Sequence, residues 1–160
     1  MNRKYIDCFE LTSLEFKALY FILSETQNDN CYTKIGHLHK CDMHLLCDTV
    51  EIGQISDNQY ERVKNIFISL DRLFHFWEKY SDNDSVACVK LFDLIRIIED
   101  EYIEFSYTER MLKYLPKIHE ILSEYYSIHS ELPSKIHFTF ENMGTDNGEI
   151  KLITTYSWKV

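Results

Sequence analysis

The 160-residue chain sets 17 Lys and Arg against 26 Asp and Glu, a formal charge of −9, and is 45% hydrophobic and 14% aromatic. That apolar share supports a packed core and excludes whole-chain disorder, while the length suits one domain over 1–160. The acid excess opposes contact with phosphate, no apolar run nears the ~20 residues of a membrane span, and "MNRKYIDCFELTS" holds no secretory signal, so neither a nucleic-acid nor a membrane partner is expected and the cytoplasm is the default compartment.

Three segments start with a capping pattern, Ser or Thr followed three residues later by Glu or Gln: Thr12–Glu15, Ser56–Gln59 and Ser106–Glu109. In that spacing the hydroxyl accepts from a free N–H of the first turn and the longer side chain reaches back. The first predicts a helix over about 13–25 with Leu14, Ala18, Phe21 and Ile22 inward. The second predicts a helix over about 57–80, with Val63, Ile66, Phe67, Leu70, Leu73, Phe74 and Trp77 forming one apolar stripe. Residues 49–56 are a candidate strand, and "SDNDS" at 81–85 is a loop by composition. The stretch 86–105 reads as a helix whose start could equally be a buried strand. Residues 106–130 read as helical, with a kink or restart at Pro116, which has no N–H to give. From Ile136 the period becomes two: Ile136, Phe138 and Phe140, then Ile150, Leu152, Tyr156 and Trp158, alternate with polar residues around the turn formers "NMGTDNG". The expected fold class is α+β: mainly helical, with four to five helices and a small C-terminal antiparallel hairpin or sheet.

"KIGHLHKCDMHLLCD" (34–48) gathers the side chains best suited to metal. Zinc takes three or four N or S ligands in a tetrahedron, and His37, His39, Cys41, His44 and Cys47 are the candidates. Their spacing matches no standard finger, so no metal is the expectation, with Met43, Leu46 and Cys47 facing the core; a zinc-binding domain is the minority alternative. Five cysteines are an odd, scattered set rather than a disulfide framework. No HExxH, GxSxG, Walker lysine loop or dinucleotide-binding glycine pattern is present, so neither catalysis nor a cofactor is expected.

The acidic stretch "IEDEYIEFSYTE" (98–109) interleaves carboxylates with aromatics. Carboxylates steer a basic partner and tyrosine supplies rigid contact area, which makes Glu99, Asp100, Glu101, Tyr102, Glu104 and Glu109 the candidate partner-binding residues.

Two stretches resemble known families. Leu11, Thr12, Glu15, Phe16 and Leu19 in "LTSLEFKALYFIL" resemble the first helix of the winged-helix effector domains of response regulators. That likeness implies a basic recognition helix and a Gly-rich wing downstream, neither of which the sequence displays. The C-terminal layout is similar to small bacterial immunity proteins that neutralise polymorphic toxins, on Ile136, Phe138, Phe140, Gly148, Lys151 and Tyr156. It implies a non-enzymatic inhibitor that occludes a basic toxin domain, plausibly a nuclease. The alternative is a transcriptional or phage-type regulator on a helical or winged-helix core.

Overall fold

Thr12 and Glu15 cap one another as their spacing predicts. In the computed structural model, which describes residues 5–27, 34–49, 59–79, 86–98, 102–128, 135–142 and 150–157, the Thr12 N–H donates to Glu15 Oε1 at 2.9 Å and the Glu15 N–H donates to Thr12 Oγ1 at 3.2 Å. This reciprocal box ends strand β1 (Tyr5–Thr12) and starts helix α1 (Ser13–Gln27). Phe16, Ala18, Leu19, Ile22 and Leu23 of α1 are fully buried.

Next come strand β2 (His39–Asp42), helix α2 (Met43–Thr49) and helix α3 (Gln59–Leu73). Asp42 accepts the Leu45 N–H at 2.8 Å through Oδ1, which satisfies a first-turn donor of α2. α3 buries Val63, Ile66, Phe67 and Leu70, four members of the expected stripe. The predicted helix over 57–80 is too long, however. Phe74 N–H makes a last helical bond to the Leu70 carbonyl at 2.8 Å, and His75 Nδ1 donates to the Arg72 carbonyl at 2.8 Å, closing the end of the helix. The aromatic run that follows is strand β3 (His75–Lys79), paired antiparallel with β4 (Val86–Lys90). Aromatic and β-branched side chains suit that pleated surface.

The predicted helix over 86–105 is likewise corrected. It is β4, then β5 (Phe92–Ile98) and β6 (Tyr102–Tyr107). β6 lies between β2 and β5 in an antiparallel sheet of order β2-β6-β5. Ser106 is buried in β6 rather than capping a helix. A short 3-10 turn (Glu109–Met111) follows, and helix α4 (Leu115–Ile128) begins with Pro116 in its first turn, where the missing N–H costs nothing.

Strands β7 (Lys135–Asn142) and β8 (Ile150–Ser157) complete a second sheet of order β1-β7-β8, all antiparallel. The candidate strand at 49–56 lies, apart from Thr49, outside the described residues, as do the side chains behind the immunity-protein likeness. Among the described residues the chain therefore has four α-helices and eight strands in three sheets, not a mainly helical fold with one hairpin.

The core joins α1 to α2, α3 and α4, and α3 to β5. Phe105 of β6 sits at its centre, with ring centroids 5.9 Å from Phe67, 5.6 Å from Phe92, 5.6 Å from His39 and 5.5 Å from Tyr107. At the α1–α4 seam the His119 ring stacks on Tyr20 at 5.4 Å, and its Nε2 lies 3.0 Å from the Ser24 hydroxyl. Burial lowers the His119 pKa below the ordinary histidine value.

Two expectations follow for stability. In urea titrations Thr12→Ala costs about 1 kcal/mol, the loss of one cap, whereas Phe105→Ala costs about 3–5 kcal/mol because a large cavity opens. His119 prefers its neutral form when folded, so its contribution is fully favourable above the unfolded pKa of about 6.5 and is lost as pH falls toward the lower folded value. His119→Gln should therefore flatten part of the acid-side decline in melting temperature between pH 7 and 5.

Candidate nucleic-acid interface

The polar side of α3 follows from its buried side. At 3.6 residues per turn, Arg62, Asn65, Ser69 and Arg72 lie about 140–160° around the helix from Phe67. Arg62, Asn65 and Arg72 are exposed and Ser69 is half-buried. The three steps of three, four and three residues make one continuous stripe, and it lines a groove of about 510 Å³ together with Thr12, Leu14 and Glu15 at the start of α1. The capping box thus has a second effect: it fixes the opposite wall. Ile68, half exposed at 50%, adds an apolar group beside the stripe.

These residue types are the ones that read base edges. Arg offers a two-pronged donor for guanine, Asn a donor and an acceptor for adenine, Ser adapts to either, and an apolar group can meet a thymine methyl. From Arg62 to Arg72 the helix rises about 15 Å, close to four base-pair steps. α3 carries Arg62, Lys64 and Arg72 against Glu61 and Asp71, so it is locally cationic in a chain of charge −9.

The residues singled out from the sequence fall elsewhere. Glu99, Asp100 and Glu101 lie outside the described residues, in the connection between β5 and β6. Tyr102 is half-buried, with Lys40 Nζ 4.8 Å above its ring. Glu104 is only 9% exposed and stands in register between Lys40 of β2 and Arg96 of β5; its Oε2 is 3.9 Å from Arg96 Nη1. Both are engaged inside their own sheet. Glu109 is exposed on the 3-10 turn. The structure does not gather the six into one described surface.

The His/Cys cluster disperses as well. The His37 and His39 rings meet edge to face at 4.7 Å, but His39 is buried against Phe105 and Tyr107, while His44 faces out from α2. Cys41 and Cys47 are buried in β2 and α2. Burial, reinforced by Glu25 and Asp42, pushes the Cys41 thiol up to about 12, and burial raises Cys47 too. Protonated and enclosed, these thiols behave as small hydrophobes. No group of three or more His, Cys, Asp or Glu with metal-holding geometry occurs among the described residues. Met43, Leu46 and Cys47 do face the core. Nor is any helix among the described residues long and apolar enough to cross a membrane.

The stripe on α3 was visible as Arg-x-x-Asn-x-x-x-Ser-x-x-Arg, but polar residues opposite an apolar stripe are the normal complement of any surface helix. Only the groove beside it marks these four out.

No family model and no curated protein matches the chain. Among solved structures, it is similar to the crystal structure of the WH1 domain of MSBI1.176, a replication protein isolated from a multiple sclerosis patient. The TM-score is 0.55 and the sequence identity 11%, over 70% of this chain and 86% of that one. Apart from the separate β3–β4 pair between α3 and β5, the order α1, β2, α2, α3, β5, β6, with sheet order β2-β6-β5, is that of a winged helix. This likeness overturns both the mainly helical fold class and the reading as a toxin-neutralising immunity protein: the chain has a winged-helix fold.

Proposed function

We propose that this chain is the DNA-binding domain of a replication or regulatory protein, with α3 as its reading helix. The observation that carries the reading is the stripe Arg62–Asn65–Ser69–Arg72 along the groove beside α1. In helix-turn-helix folds the second helix of the pair enters the major groove, which is about 12 Å wide, and α3 is that helix here. The similarity to a domain of a replication protein supports the same class of role. The domain acts by binding.

The charge of −9 is the main argument against this reading, and distance answers it. At physiological ionic strength the screening length is about 8 Å, so exposed acids farther than that from α3 are largely hidden from phosphates docked on it. The excess still suppresses the sequence-independent share of affinity, which comes from Lys and Arg on the backbone. A domain built this way discriminates mainly through base contacts, and its preferred site stands out against weak general binding.

Selection from a random duplex pool, followed by anisotropy titration, tests this directly. The wild type should enrich a short motif. Asn65→Ala should weaken binding to it by about 1–3 kcal/mol and relax preference at one base pair, leaving the melting temperature unchanged. Recovery of no motif, or equal affinity for Asn65→Ala and wild type on the selected site, would refute the assignment.

A further inference from the structure

A second cationic face lies beyond the Phe92–Tyr107 end of the β5–β6 pair, where β6 runs into the 3-10 turn. Arg110, Lys113 and Lys117 follow one another at steps of three and four residues along the helical run that leads into α4, and all three are exposed. The run is continuous: Met111 N–H bonds the Thr108 carbonyl at 3.1 Å, Tyr114 N–H the Met111 carbonyl at 2.9 Å, and Ile118 N–H the Tyr114 carbonyl at 3.0 Å. That spacing puts the three cations on one side. Arg110 and Lys113, with Glu109 at the lip, line a hollow of about 320 Å³, and Lys113 Nζ rests 5.1 Å from the Tyr114 ring centroid. From Thr108 to Glu120 there are three cations and two acids, against the acid excess of the chain as a whole, and Glu120 Oε2 lies 3.7 Å from Lys117 Nζ.

This face is joined to α3 by a short series of bonds. His75 Nδ1 holds the Arg72 carbonyl at the end of α3, and His75 is the register partner of Lys90. Thr108 in turn donates through its hydroxyl to the Lys90 carbonyl and through its N–H to the Leu91 carbonyl at 3.2 Å. Arg72, Lys90, Arg110, Lys113 and Lys117 are therefore strung along one backbone-linked path, and each is exposed. Lys90, Arg110, Lys113 and Lys117 lie off the reading helix, Lys117 with its Nζ 3.7 Å from Glu120 Oε2, and long flexible cations outside a reading helix suit phosphate oxygens.

We propose that Arg110, Lys113 and Lys117 form a second contact, for the phosphodiester backbone of duplex DNA flanking the segment held by α3. This inference rests on the proposed reading of α3 and adds to it a separate site that fixes register without contributing base preference. Two point charges removed from such a contact lower the slope of log affinity against log salt by about 1.8, and they weaken low-salt binding on the order of tenfold or more.

The test compares wild type, the double variant Arg110→Gln/Lys113→Gln and the charge-keeping Arg110→Lys on the selected duplex with and without ten flanking base pairs on each side, across a salt series. The expected result is a slope lower by about 1.8 for the double variant on the long duplex only, an unchanged base preference, and recovery by Arg110→Lys. Wild-type binding with no change in slope for the double variant would overturn the second contact and leave the α3 reading standing. An altered base preference would also overturn it, since the face would then be reading bases. Absence of duplex binding by the wild type would overturn the α3 reading and this inference together. Melting curves of each variant keep a folding defect from passing as a lost contact, and a double variant that fails to fold is replaced by Lys117→Gln, for which a drop of about 0.9 is expected.

Discussion

Everything the proposed interface requires depends on one packing contact, the seating of Phe67 against Phe92 and Phe105. Phe67 is fully buried, and its ring centroid lies 5.6 Å from that of Phe92 on β5 and 5.9 Å from that of Phe105 on β6. Because a helix is rigid, fixing one side chain fixes the azimuth of all the others. With Phe67 turned inward, Arg62, Asn65, Ser69 and Arg72 must turn outward, and rotation of α3 by even one residue would send Asn65 or Ser69 toward the sheet. His39 on β2 and Tyr107 on β6 close the far side of Phe105, so the same aromatic group ties all three strands of the sheet to the helix. Aromatic pairs of this kind add about 0.5–1.5 kcal/mol each beyond the area they bury. Their directional preference gives the helix one orientation rather than several.

The chain also divides its charges by role. Glu104 is consumed between Lys40 and Arg96 inside the sheet, and Glu15 is consumed in the cap of α1. Neither projects a field toward a partner as an exposed carboxylate would. Among the described residues the exposed cations include Arg62 and Arg72 on α3 and Arg110, Lys113 and Lys117 along the run into α4. Net charge describes how the molecule behaves at long range; within a screening length of about 8 Å the local set decides what docks.

Local signals were legible in the sequence and non-local ones were not. The Thr12–Glu15 box and the Val63–Ile66–Phe67–Leu70 stripe involve residues three or four apart, and both were readable. The strands between residues 86 and 107 were not, apart from the start of the stretch, where a buried strand was an equal alternative and β4 lies, for two reasons. Ile103 through Tyr107 are all buried in a central strand, and although Ile103, Phe105 and Tyr107 alternate with Glu104 and Ser106, that alternation spans only five residues at the end of a long apolar run. β5 changes register between Phe92 and Leu94, and that irregularity shifts the phase of any two-residue period. An apolar run stripped of its alternation imitates a helix, although Val86, Val89, Ile95, Ile97 and Ile98 are β-branched and favour strand. Two of the candidate partner-binding residues were misplaced by the same route. Reading residues 98–109 as one acidic helix end set Tyr102 and Glu104 on a free surface, whereas cross-strand neighbours more than fifty residues away in sequence cover them.

The claim that α3 is the reading helix is tested most directly by NMR titration of the labelled protein with its selected duplex. Backbone amide shifts should change most at Arg62, Asn65, Ser69 and Arg72 and at Thr12 across the groove, with the core amides of Phe67 and Phe105 unmoved. Shifts centred on Tyr102 and Glu104, or spread evenly without a maximum on α3, would contradict it.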